Sequence, residues 1–117
     1  MYRSNFDMIY SQINETVRIK ISHQDESVVM AEVTIQKGTL LPEHVHLSDH
    51  SGYLLQGKLR IYTEGISHDF VKGDSWYIQK NASHCTEALE DSVFYDIYRP
   101  DGEDLQNYKF TESGRSQ

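Results

Sequence analysis

The sequence predicts an all-β fold: short strands closing into a sandwich or barrel. Three observations carry this. Short runs rich in β-branched and aromatic residues recur along the chain, among them VVMAEVTI (28–35) and SVFYDIYR (92–99). Gly57, Gly65 and Gly73 punctuate the middle of the chain every eight residues, a spacing typical of strands joined by tight turns. Helical periodicity is weak throughout. With 117 residues, 38% of them hydrophobic and 25% charged, the chain suits one domain around one core.

In order, VRIKI (17–21) alternates apolar and basic residues, HQDES (23–27) is a polar turn, and VVMAEVTI forms the next strand. QKG (36–38) turns the chain again. SGYLLQ (51–56), KLRIYTE (58–64), SHDFV (67–71), SWYIQ (75–79), CTEAL (85–89) and SVFYDIYR complete the series. In the last of these, Phe94, Asp96 and Tyr98 share one face, and Val93, Tyr95 and Ile97 the other. A strand apolar on both faces is expected to be covered on both, the second time by the N-terminal segment or another subunit. Helix is expected only in parts of 4–14 and 102–110, and the end, TESGRSQ (111–117), is expected to fray.

The formal charge of −7 and the lack of a Lys/Arg cluster argue against nucleic acid and anionic membranes as partners. No run approaches the ~18 apolar residues of a membrane helix. The single cysteine, Cys85, allows no intramolecular disulfide. MYRSNFDMIY has no apolar stretch of signal-peptide length, so a cytoplasmic protein is expected.

The chemistry is concentrated in PEHVHLSDHSGYLLQG (42–57), which holds His44, His46 and His50. Residues two apart on a strand point the same way, so His44 and His46 would converge, and His50 could return after the LSD turn. Three imidazoles suit a divalent metal, and His84, opening a later strand, is the best fourth ligand. A pair such as HVH also occurs by chance, and a lone histidine is more often solvated or hydrogen-bonded than a ligand. The spacing adds weight: with Gly38 before and Gly57 after, the string is G-x5-HxH-x3-H-x6-G, followed by Gly73-Asp74 and then His84.

This pattern resembles the cupin superfamily, whose first motif is normally G-x5-HxH-x3,4-E-x6-G and whose second contains Gly, Pro-x-Gly and His. The resemblance covers about residues 30–99 and implies a single cupin jelly-roll β-barrel, about 15–100, within one domain spanning 1–117. Short N-terminal and C-terminal extensions flank it, the latter being 101–117. It implies one divalent metal (Zn, Ni, Fe or Mn) on His44, His46, His50 and His84. Here His50 replaces the usual Glu, and Gln79 and Asn81 stand where the second motif has Pro and Gly. Four neutral imidazoles leave the metal charge uncompensated, which favours an anionic ligand such as a carboxylate.

Further along, GDSWYIQKNASH and EALEDSVFYDIYRPDGEDL resemble the small pectin-degradation cupins, which ketonise 4,5-unsaturated uronates. The resemblance implies catalytic roles for Asp96 and Tyr98 at the mouth of the site. Gly102 stands where that group carries an arginine, and Arg99 is the nearest substitute. Tyr53, Phe94 and Arg99 are the candidate substrate contacts, with packing the alternative for Tyr53 and Tyr77. Asp96, between Phe94 and Tyr98, is costly on an apolar face unless paired or used. It is either a proton shuttle or a structural aspartate.

Three functions follow as expectations. The first is a metal-dependent isomerase- or lyase-type enzyme of sugar acids, homodimeric, with a carboxylate-bearing sugar as substrate. The second is a cupin dioxygenase, and the third a non-enzymatic sugar-binding cupin. Of the remaining residues, His23 is expected to be solvated in a turn and His68 exposed. Cys85 is expected to be a small buried residue turned away from His84, Trp76 and Ile78 core, and Asp74 a turn-former.

Overall fold

Polar and apolar residues alternate through most of the chain. A pleated strand converts that alternation into one buried and one open face. A computed structural model of the chain describes residues 9–44 and 49–99, with backbone alone for 9–14 and 42–44. Among these residues there are ten strands and no helix. They are β1 (Ile9–Asn14), β2 (Val17–Gln24), β3 (Val29–Ile35), β4 (Leu40–His44), β5 (His50–Gln56), β6 (Lys58–Thr63), β7 (Ile66–Val71), β8 (Ser75–Ile78), β9 (His84–Ala88) and β10 (Ser92–Tyr98).

The strands form two antiparallel sheets: a six-stranded one ordered β1-β2-β3-β10-β5-β8 and a four-stranded one ordered β4-β9-β6-β7. Their inner faces meet in one core. Val17, Ile19, Ile21, Val29, Ala31, Val33, Ile35, Leu54, Phe94 and Tyr98 come from the large sheet, and Leu59 and Ala88 from the small one. Leu41, Phe70 and Trp76 pack against them. Trp76 and Ile78 therefore lie where alternation puts them. Val93, Tyr95 and Ile97, on the outer face of β10, are half-buried and not enclosed.

Strand β10 organises the large sheet because it pairs on both sides. Phe94 lies between Val33 and Leu54, Asp96 between Ala31 and Gly52, and Tyr98 between Val29 and His50. The row carrying Asp96 is thus flanked by the two smallest side-chain positions of its neighbours.

Two expectations are corrected. Helix was expected in part of 4–14, yet 9–14 is β1, paired with β2 from Ile9↔Ile21 to Asn14↔Val17. A weak local helical pattern yields to a neighbouring strand whose backbone groups need partners. Residues 4–8 and 102–110 lie outside the described part. The polar turn expected at 23–27 begins later, because β2 runs through Gln24. His23 is half-buried beside a bulge and its Nε2 lies 2.7 Å from Asp25 Oδ2. Asp25 Oδ1 also accepts the Ser27 and Val28 amides at 2.7 and 2.9 Å, closing an Asx turn.

One of the passages from the large sheet to the small one occurs at Gly57, between β5 and β6, where φ is +98°. A Cβ there would run into Ser92 Oγ and the Asp91 carbonyl. Ser92 is buried, and its hydroxyl accepts the Lys58 amide at 3.0 Å while lying 2.8 Å from the Glu90 carbonyl. The corner therefore needs both the left-handed backbone and the missing side chain. Gly57→Ala is expected to cost about 2–4 kcal/mol, strain and steric overlap together, read as a lower melting temperature or denaturation midpoint.

The Asp25 turn generates a pH prediction. Bonds from His23, then from the Ser27 and Val28 amides, lower the Asp25 carboxyl to about 2, against ~3.9 for an unfolded Asp. A depressed folded pKa contributes stability above the unfolded value and loses it as pH falls toward the folded one. Carbon NMR of the carboxyl should give a midpoint near 2, and the pH 4-to-2 loss of stability should be smaller in Asp25→Asn.

Candidate metal centre

The expected ligands fall on both sheets. His44 ends β4 and stands opposite His84, the first residue of β9, in the small sheet's ladder. His84 also stands opposite Thr63 of β6. His50 opens β5 in the large sheet, between Tyr98 and Ile78. His46 lies outside the described residues. His50 and His84 are both buried, at 2% and 7% exposure.

Each of these two imidazoles has its Nδ1 against an oxygen acceptor. His50 Nδ1 lies 3.0 Å from Asp96 Oδ1, and His84 Nδ1 lies 3.4 Å from the Ala82 carbonyl. A carbonyl and an ionised carboxylate can only accept, so the ring nitrogen facing them is the N–H. In the neutral form of either ring the lone pair is then on Nε2. Metal-binding histidines are prepared in this way, with one nitrogen donating to a carboxylate or backbone carbonyl and the other ligating. The two described imidazoles, His50 and His84, are of the donor type that suits a transition metal.

Asp96 and Tyr98, both expected at the site, meet at His50. The Tyr98 ring stacks on the His50 ring, with centroids 4.5 Å apart and planes 10° apart. Tyr98 is buried, while Asp96 keeps 14% of its side chain exposed. Asp96 is thus engaged with a ligand candidate while still reachable.

The three candidate substrate contacts separate. Phe94 is buried in the core and meets Trp76 edge-on at 5.7 Å. Tyr53 lies on the face of β5 opposite to His50, Gly52 and Leu54 and is exposed, so contact with a ligand at His50 does not follow from its position. Arg99 is exposed just beyond β10. Cys85 alternates away from His84 but is half-buried, less enclosed than expected. His68 is exposed, and Asp74 Oδ2 takes the Val71 amide at 2.8 Å, forming its turn.

Two features of this region had no signal in the sequence. One is Asp49, which carries an exposed carboxylate beside His50. It accepts the Tyr77 hydroxyl at 2.6 Å and the Lys80 amide at 2.8 Å. These bonds, the tyrosine's first, hold the Asp49 carboxyl below the usual range, and the Tyr77 phenol is raised by the same contact. The other is the seat of Trp76 over Gly52, where a Cβ would overlap the indole. Trp76 also meets Phe70 at 5.1 Å, so an aromatic wall adjoins Asp96 and His50. Gly52→Ala is expected to displace this indole. Trp76 is the only tryptophan, so the readout is a shift and loss of intensity in intrinsic fluorescence, with a destabilisation of about 1–3 kcal/mol.

Comparison with known proteins agrees with this architecture. No curated protein sequence matches the chain. Among solved structures, KdgF from Halomonas sp. aligns with a TM-score of 0.78 and 23% identity, over 90% of this chain and 99% of that one. An RmlC-like cupin from Shewanella frigidimarina NCIMB 400 gives 0.78 and 15%, over 89% and 94%. Oxalate decarboxylase from Bacillus subtilis, an enzyme with Mn(II) centres, gives 0.77 and 19%, over 90% of this chain but 30% of that one. At these identities the likeness is one of fold. The family model of the cupin domain matches residues 31–98, more than half of the chain, and with two antiparallel sheets closing on one core the chain belongs to the cupin family.

Proposed function

We propose that the chain is a metal-dependent cupin enzyme acting on a sugar acid, with ketonisation of a 4,5-unsaturated uronate as its reaction. The observation that carries the metal part is the pair of buried imidazoles, each with Nδ1 against an acceptor. His44, the ladder partner of His84, and His46 complete the ligand set in this reading. The substrate part rests on the resemblance of the 73–105 segment to pectin-degradation cupins and on the likeness to Halomonas KdgF. Cytoplasmic location and a homodimer belong to the same reading, the latter supported by the half-buried outer residues of β10.

A bound divalent ion would supply a Lewis acid for the substrate's carboxylate or hydroxyl oxygen. The chain's own residues do the rest. Asp96 keeps the proton on His50 Nδ1 and so presents Nε2 as the ligating atom. Its residual exposure makes it the carboxylate within reach of an enol hydroxyl. In ketonisation one proton leaves the enol oxygen and one is added at carbon, so a single acid/base residue balances the reaction with no co-reactant. Tyr98 holds the His50 ring by stacking, and Phe70, Trp76 and Phe94 keep the adjoining wall dry.

Elemental analysis of metal-loaded protein is expected to give about one ion per chain. His84→Ala should weaken binding by more than the ~10–100-fold lost with a residue that only orients a ligand, and Asp96→Ala should fall in that lower range. Loss of the unsaturated uronate's ultraviolet absorbance should outpace the spontaneous reaction, with Asp96→Ala slower by ~10²–10⁴-fold. Absence of metal from the loaded wild-type protein would falsify the metal reading. Metal without any rate acceleration would remove the substrate assignment alone.

A further inference from the structure

His84 Nδ1 faces the Ala82 carbonyl at 3.4 Å, and Ala82 closes the turn that precedes β9. Within the turn, the Ala82 amide donates to the Gln79 carbonyl at 3.2 Å. Asn81 sits in the left-handed region at φ +67°, which Asn tolerates better than other side chains but does not enforce. Gln79 leaves φ unfixed where proline would lock it. A tie from outside the turn therefore adds to its restraint.

That external tie is Asp49. One carboxylate oxygen takes the Lys80 amide inside the turn, and the other takes the Tyr77 hydroxyl on β8 just before it. Both arms end on the segment that delivers His84, and the carboxylate itself is covalently next to His50. We propose that Asp49 is a positioning residue, a two-armed clamp that fixes the 79–82 turn to the start of β5 and thereby sets the ring of His84 relative to His50. The inference concerns the same site and, in its metal consequence, rests on the metal-centre reading above.

Charge-assisted bonds from a carboxylate to an amide and a hydroxyl are the strong kind, and two of them restrict rotation better than one. Losing the clamp leaves Asp96 and its bond to His50 untouched, since that contact lies between β5 and β10. The two histidines should therefore respond differently, which a general loss of folding would not produce.

The test uses the whole chain, metal-free and then titrated with Zn(II), as wild type, Asp49→Ala, Asp49→Asn and Tyr77→Phe. Long-range 1H–15N correlation of the imidazoles should show His50 and His84 each as a single Nδ1–H tautomer in the wild type. In Asp49→Ala the His84 signals should move to tautomer-averaged values while those of His50 stay, and Zn(II) affinity should fall ~10–100-fold. Asp49→Asn keeps an acceptor for the Lys80 amide and should recover most of the affinity, to within about 5-fold. Tyr77→Phe removes the outer arm alone and should behave likewise. An unchanged His84 tautomer with affinity within 2-fold in Asp49→Ala overturns the clamp. So does a parallel change at His50, which would mark the effect as global. A wild-type protein that takes up no Zn(II) sinks the metal reading instead, and the tautomers of the metal-free proteins still decide the clamp.

Discussion

The contact between His50 Nδ1 and Asp96 Oδ1 is the constraint around which the large sheet is arranged. A carboxylate on an inward row is costly unless a donor meets it, and a buried imidazole is costly unless its N–H is taken up. Each answers the other's need. The pairing requires room, and the register provides it: Asp96 stands between Ala31 and Gly52, so no large side chain crowds it from either neighbouring strand. Gly52 in turn leaves the surface on which the Trp76 indole lies. Replacing any member of this row would disturb the others, because interiors at this density transmit small displacements.

The placement of ligand candidates on two sheets has a chemical logic. His44 and His84 are neighbours in the small sheet, and His50 belongs to the large one. A site shared between sheets, as proposed, would draw on the packing of the whole core for its geometry. An aspartate beside a histidine ligand also compensates for what the imidazole lacks. A Glu ligand would carry its charge on the ligating atom, whereas in the proposed site the carboxyl group, on Asp96, stands one hydrogen bond further out.

Most strands were legible because alternation is a local signal and each inner face is long enough to display it. β2, β3, β5, β6 and β10 all lie within a few residues of where the pattern puts them. β1 was not legible, since its strand character comes from pairing with β2 and its own pattern is weak. Gly57 announced a turn, but not that the turn carries the chain from one sheet to the other. His50 and Asp96 were each visible as unusual residues, 46 positions apart. Their contact follows from β5 and β10 being neighbours, which no local pattern states. The same holds for Asp49, whose partners lie 28 and 31 residues away. Tyr53 looked like a ligand contact by residue type, yet parity alone sends it outward from the same strand.

The position of β10 also bears on the order in which the molecule can assemble. It is the last strand among the described residues, yet it lies in the middle of the six-stranded sheet, with β3 on one side and β5 on the other. During synthesis, β1-β2-β3 can form a meander by local hairpins, and β5 can meet β8, before β10 has left the ribosome. Neither half can join the other until it arrives. Non-local closures of this kind carry the loop entropy that slows β-rich folding. Asp96 and Tyr98 travel on that same strand, so His50 acquires both partners in the step that closes the sheet. A chain caught short of that step has neither a closed barrel nor an oriented imidazole: completion of the fold and preparation of the site are one event.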